Sequence, residues 1–496
     1  MSSKRTIKEI RDEANFSIEN KRNNPMPGKS KINKYRKFII TGLILSSLSI
    51  MGIFIVNNAI NRDSSNALNN QEQDMAEESQ GTGSNNFGAG EPTLSQEFIH
   101  QQIAEQNLQK EEMKKVMELI EKADLLAMGY YYDEAIKLIK DYEGGYKNYE
   151  ELQEAMDGYE AVKATLDPFG AYESVDQISH IFFHSLIADN SLAFDGDSDS
   201  NGYNYYMTTI YEFKQMMQQM YDAGYVLVSI HDVGKKITTD EGTTKFIPGD
   251  IMLPPDKKPF VLSQDDVNYY DYMDYDGFAS RMVVDENGRP STEMRMEDGT
   301  VLVGDYDMVP VLETFIEEHP DFSFQGARGI LALTGYEGAL GYRTDDKNSQ
   351  TYEQDKETVR HVAKVLKEWG WEFASHSYGH RNMLEMSTNF IIMDTNRWME
   401  EVGSLIGPTD IFIYPYGIEI EKTLGTYSND KYNYLKSLGF EYYCGVYKDP
   451  WIHIKDEYVR MTRRPLDGQA LLQFPERLSD LFDVLKVIDP DRPALK

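Results

Sequence analysis

GILALTG (329–335), YEQDKETVRHVAKVLKEWG (352–370) and WEFASHS (371–377) read in succession as a strand, a helix with one apolar face, and a second strand. Outward from this unit the alternation recurs. Candidate strands are HIFFHSLI (180–187), YVLVSIHDV (225–233), KPFVLSQDD (258–266), DIFIYPYG (410–417), FEYYCGVY (440–447) and YVRMTRRPL (458–466). Helical stretches such as YEFKQMMQQMYDAG (211–224) and NDKYNYLKSLG (429–439) fall between most of them. Repeated strand–helix alternation predicts an α/β fold with a parallel sheet or a (β/α) barrel. In such folds the chemistry gathers at the carboxyl ends of the strands. The Tyr-, Asp- and Gly-rich region 268–310 interrupts the rhythm and reads as an insertion forming a hairpin or lid.

The remainder of the 496 residues divides by composition. Phe38 to Val56 is an uncharged apolar run that would span roughly 28 Å as a helix, about the hydrocarbon thickness of a bilayer. Its length and the polar NNAINRDSSN that follows favour an uncleaved signal anchor over a cleaved signal peptide. Residues 1–37 hold 11 Lys and Arg against four acidic residues, while the whole chain carries −32. The positive-inside rule then expects a single-pass cell-membrane protein with a basic cytoplasmic tail (1–37) and an acidic extracytoplasmic bulk. Residues 57–95, rich in Asn, Ser, Gln and Gly, read as a flexible linker. Residues 96–166 show three- and four-residue apolar spacing, including one TPR-like hairpin in KADLLAMGYYYDEAIKLIKDY. One such unit is too few for a solenoid, so a helical spacer is expected there, with a protein partner as its alternative use. The catalytic candidate is residues 175–490.

The charge argues against a nucleic-acid binder, because no basic cluster exists beyond the first residues. The acidity fits solubility, or attraction to a cationic polymer. A single cysteine, Cys444, excludes an intramolecular disulfide framework, a Cys-rich zinc module and an iron–sulfur site.

Three features sit at predicted strand ends. Asp265 and Asp266 close KPFVLSQDD, His376 and His380 form His-x-x-x-His after EFAS, and Pro415-Tyr416-Gly417 follows IFIY. One carboxylate and two imidazoles suffice for a facial set around a divalent metal. A second carboxylate beside the first can take a proton from a metal-activated water. Asp197-Ser-Asp199-Ser-Asn201-Gly202 matches the first half of a calcium loop, but its twelfth position is Thr208, so a polar turn is expected.

Residues 179–466 resemble the polysaccharide deacetylases, the NodB-homology or carbohydrate esterase family 4 group. The family's Thr-Phe-Asp-Asp-Gly, His-[Ser/Thr]-x-x-His and Arg-x-Pro-[Tyr/Phe] elements appear as Ser263-Gln264-Asp265-Asp266-Val267, His376-Ser377-Tyr378-Gly379-His380 and Ile413-Tyr414-Pro415-Tyr416-Gly417. The resemblance implies a distorted (β/α) barrel whose divalent metal, zinc first and cobalt, nickel or manganese as alternatives, is held by Asp266, His376 and His380. It implies Asp265 as base and the Tyr416 backbone amide as oxyanion donor. The usual C-terminal Leu-x-His acid is replaced by Gln473 in ALLQF. HIFFHSLI, however, resembles the N-terminal strand of the poly-N-acetylglucosamine deacetylase branch, which puts the acid on His184. Val267 stands where the family has Gly, Gln264 where it has Phe, and no Arg precedes Pro415. Arg463, or its neighbour Arg464, would supply the missing charge beside the base. His180 reads as packing at a strand start, and His231 as a further pocket candidate. The expected activity is N-deacetylation of peptidoglycan or poly-N-acetylglucosamine with release of acetate. A non-catalytic glycan-binding relative and an O-acetyl esterase are the competing expectations.

Overall fold

Two interleaved sets of apolar side chains build the main domain of the computed structural model, which describes residues 96–421 and 426–495. The tail, apolar run and linker expected over 1–95 lie outside the described residues. Among those described, no helix is long and apolar enough to cross a membrane. The chain divides into two compact units, 1–99 and 100–496; only residues 96–99 of the first are described.

Eight parallel strands form the core of the second unit. They are β1 (Ser179–Phe183), β2 (Tyr225–Leu227), β3 (Lys258–Gln264), β4 (Ile330–Leu333), β5 (Glu372–Ser375), β6 (Ile411–Ile413), β7 (Tyr442–Val446) and β8 (Tyr458–Pro465). Seven close a ring in the order β3–β4–β5–β6–β7–β8–β1 and back to β3. On one side of β3 the register divides between two partners. Its lower half, Lys258–Phe260, pairs with β2, whereas Ser263 and Gln264 pair with β4. β2 therefore joins the wall only at the amino end, and β4 closes the ring at the carboxyl end. An antiparallel strand, Ile452–Lys455, hangs on β8.

Because side chains alternate across a strand, the ring sorts its residues. Val226, Val261, Ile330, Ala332, Ala374, Ile411, Ile413, Cys444, Val459 and Met461 share one buried cluster, the barrel interior. Phe183, Phe260, Leu262, Leu331, Phe373 and Phe412 share a second with the surrounding helices. Those helices include α4 (Ile210–Asp222), α5 (Met308–Glu318), α6 (Tyr352–Glu368) and α7 (Thr388–Trp398). Before the barrel, α1 (Gln96–Met128), α2 (Tyr132–Lys140) and α3 (Glu150–Lys163) pack around Val116, Ala123, Ile139 and Leu152. The Tyr130 and Tyr131 hydroxyls donate to the carbonyls of Asp321 and Gln325 at 2.7 and 2.5 Å, tying these helices to the barrel flank.

Part of the 268–310 region forms a three-stranded antiparallel sheet, Arg281–Val284, Pro290–Arg295 and Val301–Gly304. It packs on α5 and α6, with Met282 in the outer core, so the stretch around residues 268–275 is the part that reaches the barrel mouth.

His231 is not a mouth residue. The strand ends at Leu227, and Ser229 and Asp232 form a capping box that starts a helical turn, Ile230–Val233. Its Nδ1 faces Glu372 and its Nε2 lies 3.0 Å from Asp410 Oδ1, at the amino ends of β5 and β6. Burial alone would lower the His231 pKa, but hydrogen bonds and charge from Asp410 and Glu372 outweigh it and lift the pKa to about 10.

Two stability outcomes follow. Since the folded pKa of His231 exceeds its ordinary 6.5, its contribution is complete below about pH 6.5 and lost as pH rises through about 10. The denaturant midpoint of the wild type minus that of His231→Gln should shrink across that window. The side chain is 39% exposed, so the effect is tempered by solvent. Second, Arg492 and Glu212 are both fully buried and bonded twice at 2.6 Å, fixing the C-terminal tail to the start of α4. Arg492→Ala strands a buried carboxylate and should cost about 3–5 kcal/mol in urea unfolding.

Candidate active site

Alternation along β3 sends Gln264 outward to the helices and Asp265 inward to the mouth of the barrel. Asp265 is 3% exposed, and a buried carboxylate needs a cation. β8 provides it: Arg463 Nη1 and Nη2 donate to Asp265 Oδ1 and Oδ2 at 2.6 and 2.9 Å. Arg463 also reaches Ser263 Oγ at 3.2 Å, and that hydroxyl lies 2.9 Å from Nε2 of fully buried His180. Burial would raise the Asp265 pKa, but the Arg463 charge, followed by His376 and the arginine's hydrogen bonds, holds it well below the usual carboxylate range. Strand alternation also separates the two candidate arginines. Arg464 points the other way, to Asp480 at 2.7 Å and Ser179 at 3.1 Å.

Asp266 leaves the strand with a left-handed backbone, φ +58°. That kink turns its carboxylate from the strand direction, and Oδ1 accepts from the Tyr270 hydroxyl at 2.8 Å. The left-handed residue is Asp266 rather than the next, so Val267 can stand where the family has glycine, fully buried in the outer core. Gln264 is explained similarly. Its amide donates to both oxygens of Asp307 at 2.9 and 2.8 Å, and Asp307 also accepts from the Leu186 N–H and the Tyr269 hydroxyl. Burial raises the Asp307 carboxyl despite these four bonds.

The histidine loop follows β5. His376 Nδ1 lies 2.8 Å from the Ile413 carbonyl, which fixes that nitrogen as the donor and leaves the Nε2 lone pair for a ligand. Ser377 and His380 are also left-handed, at φ +56° and +46°. Asp394 from α7 holds the bend between them by accepting from the Tyr378 and Gly379 N–H groups at 2.7 and 2.9 Å. The result is convergence: one ligand atom each from Asp266, His376 and His380 lies within 4.8 Å of the other two. His380 Nε2 is 3.9 Å from Asp266 Oδ2, and His376 Nε2 is 3.9 Å from Asp265 Oδ2. Two imidazoles and a carboxylate, with the His376 tautomer already set, fit a divalent cation. Burial lowers the His380 pKa, with Asp266 opposing, so the ring favours the neutral form a metal requires.

His184 follows β1 and shares a cleft with Ser185, Met207, Asp266, Tyr270, Tyr272 and Met273. Its Nδ1 is buried without a hydrogen-bond partner among the described residues. Burial raises the pKa of Asp467, two residues beyond β8, against the Ala470 N–H and, after it, the charge of His184. Tyr416 sits in the turn after β6 with φ +58°, its ring 4.4 Å from that of His380. Gln473 is exposed on a later helix and faces the Tyr205 hydroxyl.

Asp265, Asp266, His376, His380, Arg463, His184 and Tyr416 therefore meet at one end of the barrel, whereas His231 lies at the other. Asp394, Asp467 and Asp307 were missed. Asp467 reads in sequence as a helix cap, which it also is, and the other two have no motif of their own. Asp197 accepts from the Asp199 and Ser200 N–H groups in a polar turn. Thr208 donates to the Leu466 carbonyl instead of serving that loop.

Residues 344–443 match the family model described as polysaccharide deacetylase. No curated protein sequence matches the chain. Among solved structures, the chain is similar to Streptococcus pyogenes deacetylase PplD in complex with acetate, at 12% identity over 60% of this chain and 96% of that one, TM-score 0.32. It is also similar to a de-N-acetylase from Aggregatibacter actinomycetemcomitans, at 14% identity over 62% and 99%, TM-score 0.36. Likenesses at such scores add nothing to the sequence match. That match runs through β5, both histidines, the Pro415 turn and into β7, so this part of the chain is similar to polysaccharide deacetylases.

Proposed function

We propose that the barrel hydrolyses N-acetyl groups of an extracellular or cell-wall polysaccharide, of the poly-N-acetylglucosamine or peptidoglycan type, and releases acetate. The observation that carries this reading is the convergence of Asp266, His376 and His380 beside an aspartate clamped by arginine. Asp266, His376 and His380 would hold a divalent cation, zinc in the first instance. When bound, it supplies Lewis acidity toward the acetyl carbonyl and makes a nearby water easier to deprotonate.

The chain's own residues do the rest. Asp265, kept ionised by Arg463, accepts the proton of the attacking water as its oxygen bonds to the acetyl carbon. The carbonyl electron pair moves onto oxygen, and the Tyr416 N–H donates to that oxyanion, a type of contact worth roughly 3–4 kcal/mol. His184 delivers a proton to the sugar nitrogen as the carbon–nitrogen bond breaks, leaving acetate and a free amine. On this reading the apolar run 38–56 anchors the chain, with residues 1–37 in the cytoplasm and the barrel outside.

Three measurements on the full-length protein test the reading. Acetate release from N-acetylglucosamine polymers should vanish with a chelator and return with added zinc or cobalt, and it should exceed release from O-acetylated xylan. Asp265→Asn should lower kcat by roughly 10²–10⁴-fold while metal analysis still finds the cation bound; loss of the metal would refute the separate tasks of the two aspartates. Arg463→Gln removes the charge that depresses the Asp265 pKa, so the acid limb of the pH–rate profile should move to higher pH.

A further inference from the structure

Asp266 has two carboxylate oxygens, and only one of them lies toward the histidines. The last torsion of an aspartate sits in a broad, nearly twofold well, so an unheld side chain presents either oxygen, or both, to a cation. Tyr270 makes the choice. Its hydroxyl donates to Oδ1 at 2.8 Å, and Oδ2 is the oxygen 3.9 Å from His380 Nε2. The phenol is in turn held in place. Its ring is 5% exposed and stacks on Tyr336 at 4.9 Å and 7°. Its oxygen lies 3.0 Å from Oγ1 of Thr334, the residue that follows β4. A phenol has one proton and an ionised carboxylate only accepts, so the Tyr270 proton goes to Asp266 and the Thr334 hydroxyl donates to the phenol oxygen. Thr334 is fully buried and clamped by Asn268, whose Oδ1 accepts from the Thr334 N–H at 3.0 Å and whose Nδ2 donates to the Thr334 carbonyl at 3.3 Å. The Asn268 N–H donates back to the Asp266 carbonyl at 2.6 Å. Four residues from two loops thus brace one side chain at the point where it leaves β3.

We propose that Tyr270 is a positioning residue for the cation site: it occupies one oxygen of Asp266 and turns the other toward His376 and His380 before any metal arrives. This deepens the deacetylase reading and rests on its ligand set. Asp266 leaves its strand through a left-handed residue, φ +58°, so strand pairing does not hold its side chain and another group must. A ligand oriented beforehand loses less freedom on binding. Partners of this kind typically account for about 10–100-fold in metal affinity.

The test is the zinc affinity of the metal-free full-length protein, measured by competition with a chromophoric chelator. Tyr270→Phe keeps the ring and its stacking and removes only the hydroxyl; it should bind zinc about 10–100-fold more weakly than the wild type. Tyr269→Phe deletes a similarly buried hydroxyl that donates to Asp307 instead, and it should keep the wild-type zinc affinity. Equal affinity in Tyr270→Phe and the wild type would overturn the proposal. So would an equal loss in both variants, which marks a general loosening of the mouth. Thermal unfolding without metal shows whether each variant is folded. If Tyr270→Phe is not, Thr334→Val, which removes the donor behind the phenol, takes its place and should lose zinc affinity in the same direction. A wild type that binds no zinc overturns both the positioning role and the metal-dependent reading. Weaker zinc binding by Tyr270→Phe, in a protein whose wild type releases no acetate from N-acetylglucosamine polymers, would sink the hydrolase and keep the positioning role. Acetate release with zinc affinity indifferent to Tyr270 would do the reverse.

Discussion

The pair between Arg463 and Asp265 is the constraint around which the barrel is organised. Both side chains are buried, and neither charge is stable there without the other. They come from β8 and β3, which flank β1 in the ring, so the pair ties together three neighbouring strands from the inside. Beneath it, Ser263 and His180 extend the polar contact into an otherwise apolar interior. The same guanidinium lies 4.2 Å from the Phe182 ring, which covers it from β1. A carboxylate held so firmly ionised is a weak base in free solution, but it is always in the correct state to receive a proton. The pair trades basicity for readiness.

Around that pair the mouth is built from strained backbone. Asp266, Ser377, His380 and Tyr416 are all left-handed without being glycine, a conformation that costs of order 1–3 kcal/mol at a residue. Surrounding bonds brace the histidine loop and the loop that follows Asp266. Asp394 receives the two amides of the histidine loop. Asn268 bridges the Thr334 N–H and the Gly338 carbonyl. Arg343 donates to the Tyr269 and Glu337 carbonyls, joining the tyrosine stretch to the loop after β4. Loops that converge on one cation must leave their strands at awkward angles, and these residues absorb the turning.

The two ends of the barrel show why ionisable clusters are not interchangeable. At the amino end, both nitrogens of His231 face carboxylates and the ring is driven toward its charged form, which suits a closure and disqualifies it as a metal ligand. At the carboxyl end, burial keeps His380 toward neutrality, and the Ile413 carbonyl sets the His376 tautomer so that its Nε2 lone pair is left for a ligand. Both look the same in sequence, a histidine at the end of an apolar run.

Strand–helix alternation, the paired aspartates, the spaced histidines and the Pro-Tyr-Gly turn were legible in the chain, because side-chain period and motif spacing are local properties. Local pattern also placed Asp265 and Asp266 at the end of one strand and His376 and His380 after another. It could not choose between Arg463 and Arg464, since both fit the motif; only the inward phase of β8 against β1 and β3 decides that Arg463 meets Asp265. It could not separate His184 from His231, because which end of a barrel a residue occupies depends on where β2 stops pairing with β3. Nor could it find Asp394, Asp467 or Asp307. Each acts on a partner distant in sequence, and such partners are brought together only when the ring closes.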